Sequence, residues 1–171
     1  MMQMIEKINI LRIVSDHCAS LVDATTEQRK DSDFVLFFGV PVIVGTGLIF
    51  GGILPNKDLI GILVASLSIF AALLFNLLLL IYDIVRKGNA AQPKQRGKFL
   101  QEIYSSIAYS ILIAIATIAA LLLYFVVTSH LVTSYVVAFF VYSLGLNFIL
   151  TILMILRRVH DLLSTEFEAK R

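Results

Sequence analysis

The chain has 171 residues, 58% of them hydrophobic and 15% charged, with a formal net charge of +2 and a mean hydropathy of +0.89. That balance excludes a disordered chain and fits one membrane domain with small polar additions. The single cysteine, Cys18, rules out a disulfide frame or a cysteine-built zinc site within one chain.

In chain order, residues 4–30 read as an amphipathic helix inside a cytoplasmic segment, 1–32. Counted at 100° per residue from Ile10, Leu11, Val14, Cys18, Leu21 and Val22 fall within about a third of the circle, and Arg12, Asp16 and Asp23 lie opposite. A mixed-charge polar face favours packing on protein over lying on lipid. Glu6, Asp16, Asp23 and Glu27 interrupt this stretch, so it does not read as a cleaved signal peptide. His17 reads as a helix-edge residue. It adjoins Cys18, but helix neighbours point about 100° apart and form no catalytic pair.

Four apolar blocks follow, 34–54, 59–82, 107–127 and 131–156, with no Lys, Arg, Asp, Glu or His inside. Each is long enough for a hydrocarbon layer about 30 Å thick, where the backbone must satisfy its own hydrogen bonds as helix. The expected fold is an all-α membrane protein with a four-helix transmembrane domain, 33–156. Its helices extend into the cytoplasm: a loop, 83–106, in which Phe99–Ser106 begins the third-span helix, and a C-terminal extension, 157–171. Ser32 and Asp33 suit the start of the first span. Pro41 predicts a kink there, and Gly47 and Gly51 form a GxxxG pair that permits close helix approach. Pro55–Asp58 reads as a tight outer turn, and Gly88–Gly97 as a flexible linker.

Charge gives the orientation. Lys57 alone among lysines and arginines lies in the first short loop, and Thr128–His130 has none. The others lie in the N-terminal segment, the central loop or the tail, which predicts a multi-pass protein of the bacterial inner membrane with both termini cytoplasmic.

Polar residues within the spans are few and regularly spaced. Ser143, Asn147 and Thr151 step by four on the fourth span, Ser68, Ala72 and Asn76 on the second, and Ser106, Ser110 and Ala114 on the third. Gly47, Gly51, Ser68, Asn76 and Ser110 are the candidates for packing helices together. Ser143, Asn147 and Thr151 are the candidates for lining a pore, since uncharged oxygens contact ions without a buried charge and this stripe continues into Arg157-Arg158. No carboxylate lies inside a span, which counts against a proton-coupled transporter. No glycine loop, metal-ligand spacing or nucleophile–base pair is present, so a non-enzyme without cofactor or metal is expected.

Arg86, Lys87, Lys94, Arg96, Lys98, Arg157 and Arg158 gather near one membrane face. Membrane lipid head groups account for such a set. Repeated in a homo-oligomer, it also makes a ring able to hold an anionic nucleotide or a short single-stranded oligonucleotide, with Phe99, Tyr104 and His160 near for stacking.

A short N-terminal amphipathic helix, a tight set of spans, the third-span start FLQEIYSSIAYSILIAI and a long fourth span ending LMILRRVHDLL together resemble small membrane effectors of prokaryotic anti-phage defence. The plan is most similar to the four-span effector of Hailong-type systems. The resemblance implies an oligomeric channel, tetrameric by preference, controlled by oligodeoxyadenylate from a partner nucleotidyltransferase, held closed and depolarising the membrane on release. It covers the plan of the whole chain and no individual ligand contact. Two other readings stand beside it: a non-conducting scaffold that docks a partner through the N-terminal helix, and a holin-like pore former.

Overall fold

A computed structural model describes residues 10–20, 35–87, 94–127 and 131–168, and the regular structure among them is helical. Helix α1 is Ile10–Ser20. A π-helical turn, Val35–Gly39, runs directly into α2, Val40–Phe50; α3 is Lys57–Lys87, α4 Lys94–Val127 and α5 Leu131–Glu168. Ser32, Asp33 and the Thr128–His130 turn lie outside the described residues.

Three helical segments, Lys57–Arg86, Leu100–Val126 and Val132–Asp161, are long and apolar enough to cross a membrane. At about 1.5 Å per residue each exceeds a 30 Å hydrocarbon layer. The helices therefore run on past the apolar blocks, and further than expected from sequence. Helix α4 begins at Lys94, so the last four residues of the Gly88–Gly97 segment are helical, and helix occupies most of the 83–106 loop.

The first apolar block departs from a plain 34–54 helix, forming a shorter apolar helix, Val35–Phe50. It ends because Gly52 adopts φ 70°, a left-handed conformation open to glycine at little cost. The N–H of Gly52 then donates to the Ile49 carbonyl and that of Ile53 to the Leu48 carbonyl, both at 3.0 Å. These two bonds close the helix as a Schellman motif. Asn56 starts α3 by accepting the Leu59 N–H on Oδ1 at 2.7 Å, with Asp58 in the first turn.

Seven-residue repeats hold the long helices together. Ile60, Leu67, Leu74 and Ile81 are buried on α3; Leu100, Ile107, Ala114 and Leu121 on α4, with a second α4 row at Ile103, Ser110, Thr117 and Tyr124; and Ser134, Val141, Phe148 and Ile155 on α5. An apolar repeat of this length is the seam of left-handed helix packing. Backbone packing runs in a row, α3 on α4, α4 on α5 and α5 on α2, with α1 laid against α4. A ring contact, Phe70 to Phe148, adds a touch between α3 and α5. The row is open: α2 and α3 do not pack on each other. Its outer surfaces carry Ile43, Phe50, Ile62 and Ile69, all exposed, as a hydrocarbon solvent requires.

Candidate functional site

The polar groups brought together by the fold meet where α1, the π-helical turn, α4 and α5 converge. The site begins with Pro41. In an α-helix the N–H of residue 41 would donate to the carbonyl of Phe37, but proline has no N–H. The Phe37 oxygen, within a buried residue, therefore lacks its α-helical donor. Asn147 on α5 supplies another, its Nδ2 donating to Phe37 O at 2.7 Å. The other half of that carboxamide is also used: Tyr109 Oη on α4 donates to Asn147 Oδ1 at 3.1 Å. One turn earlier on α5, Ser143 Oγ donates to the Pro41 carbonyl at 3.3 Å. A broken helix is thereby stitched to its neighbour at two backbone oxygens.

His17 of α1 completes the arrangement. It is fully buried. Its ring stacks on Tyr109 with centroids 3.9 Å apart and planes 5° from parallel, and it meets Phe37 edge-on at 6.4 Å. Burial, and after it the positive charge of Arg158, lowers the His17 pKa to about 4, so the ring is neutral at ordinary pH. A bonded and stacked series therefore runs from α1 through Tyr109 and Asn147 to the break in the first apolar helix. Further along α5, towards its C-terminal end, Arg158 Nη1 donates to Ser106 Oγ at 3.1 Å and to the Glu102 carbonyl at 3.4 Å, with the Glu102 carboxylate 4.0 Å away.

Asn147 and Thr151, expected as pore-lining, are buried inside a single chain, and Ser143 is half-buried there; Thr151 Oγ1 donates to its own helix at Asn147 O, 2.8 Å. Ser143 and Asn147 of this stripe are joined to the first apolar helix. Ser110 is buried and donates to its own helix at Ser106 O, 3.0 Å. Ser68 and Asn76 face outward on α3, with the Ser68 hydroxyl donating to Val64 O at 2.7 Å. Gly47 and Gly51 are also exposed and approach no other helix among the described residues; a Cβ on Gly47 would meet nothing there within 4 Å. The close helix approach occurs at Gly45 instead, where a Cβ would lie 2.6 Å from Ser143 Oγ.

The basic residues divide. Arg86 and Arg157 are exposed, and Arg157 lies 3.9 Å from Asp161 across one turn, a contact of little energetic weight. Lys87 ends α3, and Lys94, Arg96 and Lys98 stand in the first turns of α4; their side chains lie outside the described residues. Arg158 turns inward to Glu102 and Ser106, so it holds α5 to α4. Tyr104 and His160 are exposed near this end.

Sequence reasoning did not find the cluster. His17 was placed at a helix edge, yet the described side chains of α1 bury a face centred on it, with Ile13 and Val14 half-buried and Ile10 exposed. His17 lies about 20° around the helix from Ile10, at the margin of the apolar face, and is buried by Tyr109 and Phe37, which are distant in sequence. The partnership of Pro41 with Asn147 spans more than a hundred residues and left no local signature. No known protein family, curated protein or solved structure matches the chain.

Proposed function

We propose that the protein crosses the bacterial inner membrane four times with both termini cytoplasmic, and that it is the subunit of a homo-oligomeric, tetramer-favouring channel or pore-type effector. The observation that carries this reading is the series His17–Tyr109–Asn147–Phe37 carbonyl, which couples a docked helix outside the long apolar segments to the weakest point of an apolar helix. A helix break tied to a peripheral helix through two hydrogen bonds and a ring stack is the kind of two-state element that gating requires. Moving α1 would unstack Tyr109 and release the break. Because the fourth-span stripe is occupied by internal bonds, the conducting path runs between subunits.

The signal in this reading is an anionic nucleotide or short oligonucleotide made by a partner nucleotidyltransferase, bound by Arg86, Lys87, Lys94, Arg96, Lys98 and Arg157 near the cytoplasmic helix ends. The setting is antiviral defence, in keeping with the resemblance drawn from sequence. One observation favours a second reading, a non-conducting scaffold: Ser143, Asn147 and Thr151 of α5 are already hydrogen-bonded within one chain.

Ion flux separates the two. The full-length protein is reconstituted in liposomes holding a potassium-sensitive dye, with and without short oligodeoxynucleotides. Flux that changes with ligand, and that shifts in Tyr109→Phe, is expected. Absence of flux under every condition, with intact membrane potential on expression in cells, would leave the scaffold.

A further inference from the structure

The geometry points to the outward face of α3 as the surface on which two copies of this chain pack, with Asn76 of one copy hydrogen-bonded to Asn76 of the other; this rests on the homo-oligomer part of the proposed function. Gly61, Ala65, Ser68, Ala72 and Asn76 are all exposed and follow one another at spacings of three and four. At 100° per residue they fall within about 40° of one line down the helix. That line lies about 150° from the row Ile60, Leu67, Leu74 and Ile81 that α3 buries against α4. Ile69 rises on one flank of the groove and Phe75 on the other, both exposed. A shallow channel of small side chains between bulky ridges allows another helix to approach closely, and close approach is what drives helix association in lipid.

The small residues alone would not name an occupant; Asn76 does. It stands deep in the most apolar stretch of α3 and makes no hydrogen bond among the described residues, whereas Ser68 on the same line turns its hydroxyl back to Val64. Hydrocarbon offers a carboxamide nothing to bond. A carboxamide carries both donors and an acceptor, so two of them facing across a two-fold axis satisfy each other. A lipid chain cannot do this, and a second copy supplies the matching group at the same depth. Being the outermost member of the open row, α3 is free to meet that copy without rearrangement of the fold.

The test uses the full-length protein in native membranes. A photo-reactive benzoylphenylalanine at Ala65 or Ala72 is expected to yield an adduct at twice the 19.0 kDa chain mass. The same probe at Leu73 or Ile84, exposed but about 100–120° around the helix, is expected to yield little. At equal membrane-inserted protein, Asn76→Leu should weaken the Ala72 adduct by about three- to fifteenfold, the range for one intramembrane hydrogen bond, and Asn76→Gln should retain most of it. Equal adducts from Leu73, adducts only to other masses, or no response to Asn76→Leu would each overturn the proposal. Adducts that persist without ion flux would sink the channel and keep this interface. Flux that persists without adducts would do the reverse.

Discussion

At the scale of single residues, Asn147 matters because Pro41 removed a donor. Tyr109→Phe deletes one interhelical bond but leaves the Phe37 carbonyl satisfied, so a cost near 0.6 kcal/mol, typical of such bonds, is expected. Asn147→Leu strands that carbonyl and should cost about 1–3 kcal/mol. Pro41→Ala returns an N–H to the helix and should make Asn147→Leu cheaper. A double-mutant cycle by unfolding in detergent micelles measures this, and additive costs would refute the link. His17 sets a pH dependence. Its pKa is about 4 with α1 docked and 6.5 as a free group. The undocked form therefore gains a proton first, so docking is fully stable above 6.5 and weakens as pH falls towards 4, by about 1.4 kcal/mol per unit. Protection of the α1 amides against hydrogen exchange, taken relative to the intrinsic exchange rate at each pH, should fall between pH 7 and pH 5 in the native chain. His17→Phe, which keeps the stacked ring, should remove that dependence.

At the scale of elements, the first apolar helix is defined by its interruptions. A π-helical turn precedes Pro41, and a Schellman turn at Gly52 closes the helix at Phe50. Two of its glycines differ in kind. Gly45→Ala would force the Ser143 hydroxyl off the Pro41 carbonyl and should cost about 1 kcal/mol, the worth of that bond. In a Ser143→Ala background, where the obstructing oxygen is gone, the added cost should vanish. Gly47→Ala meets open space in the single chain and should leave stability equal or raised by several tenths of a kcal/mol. Thermal unfolding of the purified variants in detergent would show the contrast, and equal losses at both positions would contradict the packing. The seven-residue rows of α3, α4 and α5 were also within reach of the sequence, but polar Ser110, Thr117 and Ser134 occupy buried places in them and hide the pattern.

At the scale of the whole molecule, the helices form an open row, which leaves α3 and α2 each with a free outer face. The proposed four crossings with cytoplasmic ends make one further prediction. Green fluorescent protein fused after residue 90 or at the C terminus should fluoresce, while alkaline phosphatase at the same points should stay inactive and become active after Asn56. An active phosphatase after residue 90 would invert the orientation. Exposed basic side chains such as Arg86 and Arg157 would then face the wrong compartment for a cytoplasmic ligand.

The apolar blocks and the bias of charge to one set of segments were legible from the chain alone, because block length and hydropathy are local properties. The orientation of each helix face was decided only in three dimensions. In water, burial separates apolar from polar residues and the pattern reveals the inner face. In hydrocarbon the outer face is as apolar as the inner one, so that contrast disappears. The two asparagines show the consequence: Asn147 and Asn76 sit in equally apolar surroundings and in similar four-residue steps, yet one is buried against the Phe37 carbonyl and the other faces outward. What set them apart was a proline more than a hundred residues from Asn147, which freed the oxygen that its amide now holds.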